Sequence, residues 1–262
     1  MDDILLDPKL HSKDITINIY PSNKGKLCQQ SVNIKTPMLD YYNKRLKEYE
    51  AIYAKPERQT DLQKLVARLQ ADIQNCTVLE MACGTGWWTE KLAAHASSWT
   101  ATDADPAALE IVQQKTIRGL STTQLLNAYQ PQVNVPVDCV FAAHWYSHLK
   151  LNELQAFFDA VRSCLKPGGC LIMLDNKYVS GSSTPISRTD TIGNTYQSRP
   201  LKDGSTHEVL KNFPTHDQLR ESGTAFAFVV QADTDLKLEL HHYWYAVMRT
   251  RSSPTTFVLN DT

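Results

Sequence analysis

The 262-residue sequence has no excess of either charge: 27 lysines and arginines against 28 aspartates and glutamates leave a formal net charge of −1. No basic field therefore draws the chain to a nucleic-acid backbone, and RNA or DNA is disfavoured as a partner. No apolar run approaches the roughly 20 residues that a membrane span requires. The opening Met1-Asp2-Asp3 is acidic where a targeting segment would be basic. Cys28, Cys76, Cys83, Cys139, Cys164 and Cys170 include no paired C-x-x-C. Several fall in apolar patterns where a thiol acts as a small hydrophobe, so free thiols in a reducing compartment are expected. These absences predict a cytoplasmic protein with no membrane or nucleic-acid partner. Metal-ligand spacing is missing too: His241 and His242 are adjacent and would face opposite sides of a strand, so no metal is expected. Repeats and low-complexity tracts are absent, and 42% hydrophobic with 21% charged residues describes an ordinary globular chain with one main core.

What is present begins at residues 78 to 86, Val-Leu-Glu-Met-Ala-Cys-Gly-Thr-Gly. A short apolar run, an acid and small residues closing on Gly84 and Gly86 read as a strand feeding a ligand-cradling loop. Asp103 ends the next apolar segment, seventeen positions after Gly86, so two acids at strand ends frame one ligand. A dinucleotide fingerprint would carry a third glycine, but Trp88 and Thr89 stand in its place. Glu80 at the mouth of the loop would repel a pyrophosphate and welcome an ammonium or sulfonium. The ligand predicted is a cationic nucleoside, which argues against oxidoreduction with a nicotinamide cofactor.

This arrangement resembles motif I of the S-adenosylmethionine-dependent methyltransferases with a Rossmann-like fold, and further pieces follow in order between roughly residues 40 and 250. Asp103-Ala104-Asp105-Pro106 resembles the second motif, Val137 to Phe141 the fourth strand, and Leu165-Lys166-Pro167-Gly168-Gly169 the turn before the fifth. Asn127-Ala128-Tyr129 stands where the family often has Asp-Ala-aromatic. Asparagine is a departure, although its oxygen still accepts a hydrogen bond. The resemblance implies S-adenosyl-L-methionine as cofactor. Glu80 would hold its ammonium, directly or through water, unless it simply caps the adjoining helix. The amides around Ala82, Gly84 and Gly86 would face the cofactor. Asp103, with Ala104 beside it, would accept from the ribose hydroxyls, and Asn127 and Ala128 would read the adenine. Asp105 is expected as a helix N-cap. Tyr41, Tyr42, Arg45, Tyr49 and Tyr53 resemble the lid helix of small-molecule methyltransferases, with Tyr42 the residue expected at the cofactor.

The fold class expected is α/β: a doubly wound, mostly parallel seven-stranded sheet with an antiparallel final strand, N-terminal lid helices and a substrate-side insert after strand five. An N-terminal arm or ribbon (1–37), with a weakly alternating Asp14 to Tyr20, precedes the methyltransferase domain (38–250), and a tail (251–262) follows it. Within the domain, lid helices (38–75) lead into the cofactor-binding half (76–175). The substrate-side insert (176–213) carries a hairpin turn at Asp203-Gly204. The closing helix and hairpin (214–250) have Gly223 as helix terminator and Leu236, Leu238 and Leu240 alternating along the last arm.

An activated methyl asks chiefly for an acceptor held in line, dry surroundings and sometimes a base. His144 and His148 follow strand four, where this fold delivers residues to cofactor and substrate; one of them is the expected base, with His148 slightly preferred. Arg199 or Lys211 could clamp a substrate carboxylate, while most of the polar set Asp175, Asn176, Tyr178, Arg188, Tyr196, Arg199, His207 and Lys211 is expected to be solvated. The function expected is methylation of O, N or C of a small-molecule acceptor. A protein or nucleic-acid methyltransferase, or a non-catalytic cofactor-binding subunit of the same fold, remain as alternatives. The absence of Asn-Pro-Pro-Tyr argues against amino methylation of bases. Monomer and homodimer are both open.

Overall fold

The computed structural model describes residues 37–250. The expected N-terminal ribbon, including Asp14 to Tyr20, and the tail lie outside the described residues. Helix α1 (Pro37–Arg45) passes into tighter 3-10 turns over Leu46–Ala54, where a single amphipathic helix was expected. Tyr42, Tyr49 and Tyr53 nevertheless share a face, their rings meeting edge-on at 6.0 and 6.2 Å. Helix α2 (Gln59–Asp72) buries Leu62, Leu65 and Leu69 on one stripe.

The alternating part then runs β1 (Thr77–Met81), α3 (Trp87–Leu92), β2 (Ser98–Asp103), α4 (Pro106–Gln114), β3 (Leu120–Leu125), β4 (Val137–Ala143), α5 (Leu154–Cys164) and β5 (Leu165–Asn176). Helix α4 starts as its sequence suggests: Asp105 accepts from the Ala107 amide at 2.9 Å and Pro106 fills the first turn. The insert holds β6 (Arg188–Thr189), β7 (Thr195–Pro200) and β8 (Thr206–Leu210), an antiparallel three-stranded ribbon turning at Asp203-Gly204. Helix α6 (His216–Ala225), β9 (Phe228–Ala232) and β10 (Tyr243–Thr250) close the described chain.

The main sheet has the order β3-β2-β1-β4-β5-β10-β9, parallel from β3 to β5, with β10 antiparallel to both neighbours. Both faces are covered, which is why residues 139–143 of β4 and 170–174 of β5 read as unbroken apolar runs. Cys139, Phe141, Ile172 and Leu174 point to the side packed by α2 and α3; Val140, Ala142, Leu171 and Met173 point to the side packed by α5. Strand order reverses between β1 and β4, so the carboxyl ends of those two strands open a crevice where this architecture binds ligands.

Two expectations at the carboxyl-terminal end need correcting. Gly223 does not end its helix; it lies inside α6, where a Cβ would stand 1.9 Å from Val230 Cγ2, so the glycine permits close approach of helix and strand. Leu236, Leu238 and Leu240 pack on the core without forming a strand. Asp61 holds that loop by accepting from the amides of His241 and His242 at 2.9 and 2.7 Å, and β10 begins only at Tyr243.

Candidate active site

The loop after β1 turns three times through left-handed backbone, at Ala82 (φ 50°), Gly84 (φ 55°) and Gly86 (φ 79°). That conformation disfavours any residue with a large side chain. Its ends are pinned by Cys83 N to Thr102 O at 2.9 Å and Gly86 N to Cys83 O at 3.0 Å. A Cβ on Gly84 would meet nothing within 4 Å, so the loop faces open space. That space is a cavity lined on one side by Ala82, Gly84, Asp103, Ala104, Asn127 and Ala128. Asp103 accepts one amide on each oxygen, from Gly84 at 2.8 Å and Asp105 at 2.9 Å, which aims the carboxylate and leaves lone pairs for a further donor. Burial pushes its pKa up to about 6, with these amides working against the rise. Asn127 Oδ1 accepts the Tyr129 amide at 3.0 Å.

Two residues expected at the ligand stand behind the loop instead. Glu80 is buried with Oε2 accepting from Thr89 Oγ1 at 2.5 Å and Trp99 Nε1 at 2.8 Å, which ties β1 to α3 and β2. Burial pushes its pKa up to about 7 against those two hydrogen bonds. Gly86 is also off the cavity; a Cβ there would lie 2.9 Å from Val112 Cγ2, so this glycine fits α3 against α4. It supplies the helix packing for which the sequence seemed to lack a glycine.

The roof is the lid: Met38, Leu39 and Tyr42 of α1, with Leu46 and Tyr49 of the turns that follow. The far wall is Ala143, His144, Trp145 and His148 at the end of β4. His148 is fully engaged. Its Nδ1 lies 2.7 Å from the Leu210 carbonyl and must carry the proton, so Nε2 accepts from the Tyr42 hydroxyl at 2.8 Å. Burial, then Lys211, depresses its pKa to about 3, and it is neutral at physiological pH. His144 differs. It sits in left-handed backbone (φ 58°), both ring nitrogens are buried without a hydrogen bond, and Nδ1 is 3.5 Å from Asp175 Oδ1. Burial lowers its pKa, with Asp175 opposing.

Of the polar set expected to be mostly solvated, Asp175 and Lys211 are buried, Nζ to Oδ1 at 2.6 Å. Ser147 joins them, its hydroxyl accepting from Lys211 at 2.6 Å and its amide donating to Asp175 at 3.1 Å. The signal for Asp175 is its place directly after the apolar run of β5; nothing local marks Lys211, which only the fold of the insert brings inward.

Residues 78–169 match the family model of a methyltransferase domain. Residues 78–169 form such a domain, of the Rossmann-like, S-adenosylmethionine-dependent class. The structure of DhpI with SAH is similar to this methyltransferase at 27% identity over 83% of this chain and 96% of that one, with a TM-score of 0.67. A DhpI-SAM-HEP complex shows 26% identity, 81% and 96% coverage and a TM-score of 0.68. The glycopeptide N-methyltransferase MtfA with (S)-adenosyl-L-homocysteine, at 13% identity, 72% and 89% coverage and a TM-score of 0.53, shares the fold. No curated protein matches the chain.

The cavity of the methyltransferase fits the cofactor of its class. Asp103 offers free lone pairs to a diol, Gly84 leaves room for close approach, and Trp145 Nε1 is a buried donor without a protein partner. Among the described residues no His, Cys, Asp and Glu cluster could hold a metal ion. No described helix is long and apolar enough to cross a membrane.

Proposed function

We propose that the protein methylates a small-molecule acceptor at O, N or C. What carries this reading is the roof: Tyr42 and Tyr49 lie over a cavity floored by Gly84 and Asp103, so an acceptor has to fit inside rather than lie across an open face. Asp103 and the Ala82 amide would hold the ribose and methionine parts of the cofactor, with Gly84 and Ala104 aiming the Asp103 carboxylate, and Asn127 and Ala128 would hold the adenine. Tyr42 closes over it. Glu80 and Gly86 act from behind by fixing the loop. S-adenosylmethionine supplies an electrophilic methyl on a sulfonium. The chain then has to place the acceptor, exclude water and accept a proton where one leaves.

His144 is the better base of the two histidines, reversing the preference read from sequence. With Nδ1–H turned to Asp175, its Nε2 is free to take a proton from the acceptor, and the resulting cation gains the Asp175 charge. His148 already uses both nitrogens and positions Tyr42. Calorimetric titration with S-adenosylmethionine, its demethylated product and NAD tests the cofactor: the first two bind and NAD does not. An acceptor screen followed by His144→Ala tests the base, with kcat expected to fall by about 100-fold or more at unchanged cofactor affinity. Full turnover in His144→Ala would remove the residue from the mechanism.

A further inference from the structure

Near Tyr42, half-buried Arg199 and buried Arg58 and Lys211 bring three cations together, and two of them have no carboxylate partner among the described residues. Arg199 on β7 gives Nε and Nη2 to Gln197 Oε1 at 3.1 and 2.6 Å and Nη1 to the Tyr42 hydroxyl at 3.4 Å, and it forms no ion pair with a carboxylate among the described residues. Arg58 is buried over the Tyr243 ring, 5.4 Å from its centroid; Nη1 is 3.5 Å from that hydroxyl, and Nε has no partner. Lys211 is paired, but only with Asp175. Asp175 already accepts Lys211, the Ser147 amide and the Asn176 amide. Of these three cations only Lys211 is paired with a carboxylate among the described residues, and both neighbouring histidines are neutral. Asp175, Arg199 and Arg58 are the charges that bear on Lys211. A guanidinium drawn wholly or partly out of water with no paired carboxylate carries a cost, and an incoming anion lowers it.

We infer that the acceptor carries an oxyanion, a carboxylate, phosphonate or phosphate, which Arg199 grips beside Tyr42 while Lys211 and Arg58 supply the surrounding positive field. The inference rests on the methyltransferase reading and narrows it. A planar guanidinium fixes such a group in two directions, which a lysine cannot do, so the handle also orients the atom to be methylated. Tyr42 is the link: its ring lines the cavity, its hydroxyl donates to His148, and Arg199 donates to it.

The test is calorimetric titration of the full chain saturated with S-adenosylhomocysteine, in chloride-free buffer, using inorganic phosphate, acetate and the neutral isostere acetamide. Phosphate and acetate should bind saturably and acetamide at least about tenfold more weakly. Arg199→Gln should weaken the two anions by about tenfold or more, and Arg199→Lys, which keeps the charge but loses the fork, by less. Both variants should hold S-adenosylhomocysteine as the native protein does, which also shows that they fold. Equal binding of acetate and acetamide, or undiminished phosphate binding in Arg199→Gln, overturns the inference. Failure of the native protein to bind S-adenosylhomocysteine overturns the methyltransferase reading instead, so the two failures are distinguishable.

Discussion

Replacing Glu80 by glutamine separates its two possible roles. The side chain is buried at the end of β1, and Oε2 alone serves both Thr89 and Trp99. A glutamine oxygen can take over both hydrogen bonds while the charge disappears. Burial raises the carboxyl from 4.5 to about 7, and at 1.36 kcal/mol per unit that corresponds to about 3 kcal/mol of disfavour for the ionised form in the fold. The folded state binds the proton more tightly than the unfolded chain. Its contribution is therefore fully present below pH 4.5 and lost as pH rises through 7. Glu80→Gln should remove that slope, leaving the variant about 1 to 3 kcal/mol more stable than the native protein at pH 8, with the difference gone at pH 4. Urea unfolding at pH 4, 6 and 8 measures it. Asp103 titrates partly in the same window, so the comparison has to be variant against native rather than pH against pH. A second readout is cofactor affinity, expected to be unchanged. Parallel pH profiles of the two proteins would refute the electrostatic argument, and a large loss of S-adenosylhomocysteine affinity would return Glu80 to the ligand.

Asp103 offers a related measurement: free, it is half protonated near pH 6, and ribose donors would favour the carboxylate, so S-adenosylhomocysteine binding at pH 6 should release up to about half a proton. Binding enthalpies that are identical in buffers of different ionisation heat would exclude this. For His148 the sign is opposite, because the unfolded chain takes the proton below 6.5 and the fold resists it down to about 3. Stability is present above pH 6.5 and lost as pH falls, by several kcal/mol at most. His148→Asn, which keeps a donor towards Leu210, should flatten that acid limb in urea unfolding, and an unchanged limb would contradict it. Gly223→Ala should cost about 1 to 3 kcal/mol by overpacking against Val230, with partial rescue in Gly223→Ala/Val230→Ala; a neutral single variant in thermal unfolding would show that the helix can shift.

The parts of this architecture that could be read from the chain are those in which local rules and tertiary demands agree. The apolar run of β1, the small residues of its loop, and Asp105-Pro106 ahead of α4 each carry a local physical reason, and each lies where its reason places it. Failures cluster where one residue type has two uses. A glycine near a helix end suits a terminator as well as a packing contact, and only the 1.9 Å approach to Val230 decides for Gly223. An acid at a strand end suits a ligand contact as well as an internal anchor. Asp103 and Glu80 are alike in sequence, yet Asp103 faces the cavity while Glu80 is engaged by Thr89 and Trp99. Trp99 lies nineteen positions away on the neighbouring strand, beyond what spacing along one strand can signal.

The histidines make the same point for chemistry. His144 and His148 are four residues apart in one turn, and their sequence surroundings do not distinguish a base from a strut. What distinguishes them is the acceptor each nitrogen finds: Leu210 from the insert and Tyr42 from the lid occupy His148, whereas His144 has only Asp175 near one nitrogen and nothing at the other. A histidine with both nitrogens committed can become a cation only by breaking a hydrogen bond, while one with a free nitrogen beside a carboxylate gains by taking the proton. Lid, insert and β5 are thus joined through two imidazoles. One hydrogen-bonds Tyr42 over the cavity, and the other keeps a nitrogen without a partner, as the proposed base requires.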